Sequence, residues 1–291
     1  MKGRLVIAWT CLAASVVAQT PDVAVFADLR PTFFFAENQQ PVFRWYDFSG
    51  RPSLVGFRLL FENGNRVYVG QRLSRFPGNG DPDSVDEYYL EDTGRWRIGK
   101  QLLPFGTRNI VRETALAARF DTRLIFDDVP IQIAMCDGGP GRVRGVVGRI
   151  GRRWGVSFAA GNNFVIQSTS MTMFRGIEAG LGAGRGYDVA VGVDFEAHVG
   201  SGRILGEWVS LRNGKTPADE TRDLSDIRAV YLIPDTPNVI SFGWARSWDK
   251  ALDSFRIEGE FFVDDKVTWL PYLRLTRDRR GEIGISTRIK L

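Results

Sequence analysis

His198 is the only histidine in the chain, with Glu196 two residues before it and Ser201 three after. A hydrolase acting by nucleophilic attack needs a serine within hydrogen-bond reach of such a base. Ser201 falls in Gly200-Ser201-Gly202, which reads as a turn, so the residue types suit that chemistry better than their placement does. Gly180, Gly182, Gly184 and Gly186 are spaced like a phosphate-cradling loop, but no clear strand precedes them and a strand, not a helix, follows. Cys136 has no neighbouring base and reads as a small apolar side chain near a loop. One histidine and two distant cysteines do not make a zinc site.

The residues with the most to offer are charges set in alternation with apolar side chains. Arg58, Arg95, Arg97, Arg119, Arg123, Arg142, Arg144, Arg256 and Arg274 are basic members of such faces. Asp121, Asp188, Asp194, Glu196, Glu258 and Glu260 are the acidic members. Only six of the basic residues in the chain are lysines. Arginine keeps its charge and pairs bidentately with carboxylate or phosphate. Opposed arginine and acidic walls orient water and dipolar solutes, and a ring of charges sets ion preference. Arg95, Arg97, Arg119 and Arg123 come from consecutive strands. Two readings of them stand together: one basic ladder that favours anions, or salt-bridged supports of a wall.

Those faces require strands. Val189, Val191, Val193, Phe195 and Val199 alternate with Asp188, Asp194, Glu196 and His198, the pattern of a half-buried strand. Ile283, Ile285, Ile289 and Leu291 likewise oppose Glu282, Ser286, Arg288 and Lys290. Residues 203 to 212 alternate poorly, which suggests a bulge. Lys100 falls on the apolar side of its strand, which suggests a bulge or register shift nearby. Short connections such as Asn63-Gly64-Asn65, Thr93-Gly94 and Asp264-Asp265-Lys266 alternate with longer ones at 77–85, 104–114, 162–186 and 213–226. The 162–186 connection is the longest. Its Met171, Met173, Phe174 and Ile177 suit a loop folded into a pore, or one packed over the rim or a neighbouring subunit.

Composition narrows the class. The 291 residues are 44% apolar, 12% aromatic and 25% charged, which excludes disorder and a helical membrane bundle. With 38 basic against 34 acidic residues, the chain does not read as a nucleic-acid binder. Lys2 and Arg4 followed by an uncharged stretch from Leu5 to Ala18 have the pattern of a secretory signal peptide. Cleavage near Ala18 takes two of the 38 basic residues and leaves 36 against 34 acidic. Dense charge on one face, Trp96, Trp154 and Trp269 close behind short turns, and a chain ending on a strand favour a closed barrel in lipid over a soluble sandwich.

Gly99-Lys100-Gln101-Leu102-Leu103-Pro104-Phe105-Gly106 resembles the G-K-Q-x-x-P-F-G signature of outer-membrane porins of the siderophore-porin and phosphate-selective-porin type. Val191-Gly192-Val193-Asp194-Phe195 with Leu205-Gly206-Glu207-Trp208 resembles paired strands of the same group. Those porins commonly end in Phe or Trp, and this chain ends in Leu291. The resemblance implies that 99–106 is a strand followed by an external loop. It also implies a passive channel, commonly a trimer.

The expectation is therefore an all-β chain: residues 1–18 a signal peptide, 19–40 an N-terminal lead-in, and 41–291 one antiparallel transmembrane barrel. About 16 strands are expected, counted from near Val42, with 14 or 18 as the neighbouring counts. Residues 24 to 36 offer an added or replacement first strand. Short periplasmic turns and longer extracellular loops are expected. The expected function is diffusion of small hydrophilic solutes through the outer membrane, without enzymatic activity or cofactor. Pore-lining residues are Arg58, Arg95, Arg97, Arg119, Asp121, Arg123, Arg142, Arg144, Asp194, Glu196, Glu258 and Glu260. Expected partners are membrane lipid, the solutes and two further copies in a homotrimer, with no nucleic acid. Two alternatives stay open: an exported soluble or surface β-protein that binds a ligand, and an outer-membrane lipid hydrolase using His198.

Overall fold

A computed structural model describes residues 21–36, 40–48, 51–73, 85–108, 110–111, 114–124, 128–137, 144–164, 187–213, 220–249, 251–276 and 279–291. Within them the chain is a run of strand segments. The first nine are β1 (Asp22–Leu29), β2 (Thr32–Ala36), β3 (Val42–Arg44), β4 (Leu54–Leu60), β5 (Asn65–Arg72), β6 (Val85–Asp92), β7 (Trp96–Leu102), β8 (Thr114–Arg123) and β9 (Pro130–Asp137). The second nine are β10 (Arg144–Gly151), β11 (Trp154–Phe164), β12 (Tyr187–Val199), β13 (Gly202–Asn213), β14 (Glu220–Leu232), β15 (Val239–Ser247), β16 (Leu252–Phe262), β17 (Val267–Thr276) and β18 (Arg279–Lys290).

Consecutive strands from β4 to β18 pair antiparallel, and β1 pairs with both β18 and β4. That closes a sixteen-stranded barrel and leaves no free edge, the condition a sheet must meet in lipid. β2 and β3 are two additional short segments at the seam. β2 continues along β18 above β1, and β3 pairs with β2. The expected number stands among the described residues, but its first member changes. β1 closes the barrel from the segment expected as a lead-in, taking the place of the first strand as residues 24 to 36 offered, while the three-residue β3 does not. Residues 1–18, expected as a signal peptide, lie outside the described residues.

The wall is inside-out relative to a soluble protein. On β12, Val189, Val191 and Val193 are each more than 40% exposed, whereas Ala190 and Asp194 on the opposite face are 1% exposed. Phe242, Phe255, Ile257, Leu275 and Ile283 continue the apolar outer surface around the barrel. Trp154 and Trp269 are exposed on that surface, close behind the turns at 152–153 and 263–266. Gly64, Gly94 and Gly200 supply the positive φ that three of the tight turns need.

Two local expectations change. Strand β13 pairs in unbroken register with both neighbours, so 203–212 contains no bulge. Its alternation is poor because its inner face is also apolar, with Val209 and Leu211 nearly fully buried. The irregularity expected near Lys100 lies one strand away, where the β5–β6 ladder slips between Gly70 and Gln71. Lys100 is buried there and its Nζ donates to the Val85 carbonyl at 2.7 Å.

Candidate functional site

The apolar inner face has an occupant. After β7 the chain turns into the barrel, and Leu103, Phe105, Ile110 and Val111 are buried in one cluster with Ala117, Cys136, Val147, Ala159, Ala190 and Leu211. These wall residues belong to β8 through β13 and are mostly small, which leaves room for the inserted segment. A Cβ on Gly192 would lie 2.9 Å from the Phe105 ring, so glycine on β12 makes the notch that the ring fills. The Gly106 N–H donates to Ser157 Oγ at 2.8 Å. Glu207 of β13 accepts from Thr107 Oγ1 and from the Ile110 N–H. Gly106 has a φ of 49°, and a Cβ on it would overlap the Glu207 carboxylate.

Residues 103–108 and 110–111 are therefore internal, not the external loop that the motif resemblance implies. Pro104 ends the ladder as a proline must, and apolar side chains then carry the chain inward rather than out to water. The 162–186 connection, expected to narrow the pore, lies outside the described residues except at its first three, which belong to β11.

On the far side of the inserted segment is a cavity of about 600 Å³. Among the described residues, eight arginines and three carboxylates line it. Arg256 sits at its wall, bidentate on Asp226 at 2.7 and 2.9 Å and 2.8 Å from Glu258. Arg274 pairs with Glu282 at 2.7 Å, and Arg288 with Asp28 at 2.9 Å. Arg108 reaches the cavity from the inserted segment. Burial holds its guanidinium below the ordinary arginine range; Glu87 opposes that effect, while Arg119, Arg97 and Arg149 reinforce it. The side chain stays cationic at physiological pH because arginine starts so far above it.

The expected lining residues divide four ways. Arg97, Arg119, Asp121, Asp194, Glu196, Glu258 and Glu260 face inward, as does Arg58, whose guanidinium lies over Phe26 and Tyr68. Most are engaged in the wall. Arg97 donates to Glu91 at 2.7 Å, Arg119 to Asp121 at 2.8 Å, and Arg149 pairs with Asp194 at 2.5 Å. Arg203 reaches Glu196 at 3.2 Å. Arg123 is on the rim, exposed, and bound to Asp128.

Arg95 and Arg144 do not line the pore. Arg95 stands in the 93–95 turn, exposed and 3.4 Å from Asp92, where strand alternation no longer holds. Arg144 shares the outer parity of Val146 and Ile150, because the inner face of β10 is set by Val147 and Arg149. Arg142 lies outside the described residues. The Arg95–Arg97–Arg119–Arg123 ladder does not form; each member has its own carboxylate. The concentration of arginine that does form lies across the barrel, through Arg228, Arg256, Arg274, Arg288 and Arg30. His198 is 55% exposed near the turn at 200–201, with its Nε2 3.9 Å from Glu196.

Arg108, Arg149, Arg228 and Glu207 were missed by the alternation argument. Arg108 lies in no strand, and Glu207 lies where alternation is masked. The available signal was the run of small and apolar residues on the inner faces of β8 to β13, which a water-filled lumen alone would not require.

A closed antiparallel barrel, apolar outside and charged inside, with a segment folded into its lumen, is a β-barrel of the outer-membrane type. Known structures share that fold. The chain is similar to the anion-selective porin from Comamonas acidovorans, with 10% identity, a TM-score of 0.61, and coverage of 93% of this chain and 99% of that one. A loop L8 deletion mutant of OmpT, an outer membrane protein of Vibrio cholerae, gives 12% identity and a TM-score of 0.60 over 93% and 99%. Salmonella typhi OmpF, in complex with daunomycin, gives 10% and 0.57 over 93% and 98%. No family model matches the chain. No curated protein matches it either. At these identities the likeness is one of fold.

Proposed function

We propose that the protein is an outer-membrane porin through which small hydrophilic solutes diffuse down their gradients, with a preference for anions. The observation that carries this reading is the cavity inside the barrel, where Arg51 and Arg108, with no described carboxylate in ion-pairing distance, add positive charge beside lining arginines that are paired. The apolar outer wall supports a place in lipid, since soluble monomers rarely expose a continuous apolar belt of that extent. Positive charge on a low-dielectric wall raises the local anion concentration and lowers that of cations. No bond is made or broken and no cofactor takes part. Export through cleavage near Ala18 and assembly as a homotrimer complete the proposal.

The test is a liposome-swelling assay with the mature chain refolded into phospholipid, using uncharged sugars of graded size. Swelling that slows steeply with sugar size is expected. Swelling equal to that of protein-free liposomes would overturn the channel.

A further inference from the structure

The cavity is bounded by two inserted segments, not one. At the seam, residues 45–48 and 51–53 form the paired arms of a turn that leaves the wall. The Asp47 N–H donates to the Arg51 carbonyl, the Ser53 N–H donates to the Trp45 carbonyl, and Tyr46 bridges to Pro52. Arg30 anchors the turn through Asp47 at 2.5 Å, and its own N–H donates to Ser53 Oγ at 2.7 Å. This turn carries Phe48 and Arg51 to the cavity. The Phe48 ring lies 5.0 Å from that of Tyr272, tilted by 33°. From the other side comes Arg108, held at a φ of 64° that an L-residue seldom adopts. Among the described residues, no carboxylate lies within ion-pairing distance of Arg51 or Arg108, in contrast to Arg256 and Arg274 of the wall.

Two cations with no described carboxylate in ion-pairing distance and an aromatic pair share one chamber, which also takes in Leu102, Val239 and Leu270. An inorganic anion would use only the guanidinia. The apolar part of the lining gives a site for the body of a larger ion. We propose that the chamber between the two inserted segments is a binding site for a small organic anion with a flat apolar body, an aromatic carboxylate. The guanidinium of Arg51 or Arg108 takes the carboxylate through paired N–H donors, and the Phe48–Tyr272 pair packs against the ring. This proposal deepens the anion-channel reading and rests on it for its place in transport.

The experiment measures binding and passage separately on the full mature chain. Sodium benzoate and sodium acetate are titrated calorimetrically into the folded protein in detergent, and each salt's current is recorded in planar bilayers. Benzoate should bind about tenfold more tightly than acetate, the size of effect that ring burial supplies. Phe48→Leu keeps apolar bulk and should bring the ratio toward one while leaving acetate binding unchanged. Arg51→Gln and Arg108→Gln together should weaken both anions alike. Retention of heat-modifiable migration in electrophoresis shows that each variant is folded. Equal affinities for benzoate and acetate, or a ratio indifferent to Phe48→Leu, would overturn the site while leaving a conducting channel intact. Benzoate binding without any current would instead overturn the channel and leave the site.

Discussion

Truncating Phe105 to alanine should open the pore without unfolding the barrel. The ring is 1% exposed and sits in the notch that Gly192 leaves on β12. Removal of a buried phenylalanine side chain costs about 3–5 kcal/mol. That cost falls on docking of the inserted segment, because the closing ladders between β1, β18 and β4 do not involve it. Each 1.4 kcal/mol is tenfold, so the ratio of docked to undocked segment drops by roughly two to three and a half decades. Undocking also withdraws Arg108 from the cavity. Single-channel recordings of the Phe105→Ala variant should show larger, noisier conductance and weaker anion preference than the parent. Conductance and reversal potential identical to the parent would refute the idea that the inserted segment carrying Phe105 sets the constriction.

Other consequences follow from the same geometry. Gly106→Val places a branched side chain where Glu207 sits, at a φ of 49°, and should reproduce the Phe105→Ala phenotype in the same recordings. Arg256→Leu leaves Asp226 buried without its bidentate partner, a change worth about 3–5 kcal/mol, so the temperature at which the barrel loses its heat-modifiable form should fall. Trp154 and Trp269 lie on the outer surface, and their fluorescence should be quenched by brominated acyl chains in reconstituted vesicles; indifference to bromination would place them out of lipid.

How much of this was legible in the sequence depends on whether a residue lay in a regular strand. The β12 alternation of valines against Asp188, Asp194 and Glu196 predicted both faces correctly, because a two-residue period leaves only one way to bury charge. The small-turn glycines were equally readable. Arg95 failed because it stands one residue before β7, where the period has not begun. Arg144 failed because the parity of β10 is fixed by Val147 and Arg149, not by the nearest charge. The inserted segment was hidden for a different reason. Its anchors are Phe105, Gly106, Gly192 and Glu207, whose meaning comes from contacts across about 50 to 100 residues of chain. Local pattern carries no record of such contacts, although the apolar inner face of β13 was visible as a loss of alternation.

The wall charges also show why counting arginines along the sequence misleads. Arg97, Arg119 and Arg149 add to the count of basic residues as Arg108 does, but each is matched by a carboxylate on its own strand or one or two strands away. Such pairs contribute little net stability once desolvation is counted. They also contribute little net field. The arginines of the cavity wall are paired in the same way, so what distinguishes the cavity is Arg51 and Arg108, brought in by the two inserted segments.

The central claim is that this lumen conducts and prefers anions. The most direct measurement is the reversal potential of the refolded mature chain in a planar bilayer under a potassium chloride gradient. The account predicts channel openings whose current reverses toward the chloride equilibrium potential, with the preference shrinking as ionic strength rises and screens the arginines. Reversal toward the potassium potential, or a bilayer that stays silent, would contradict it.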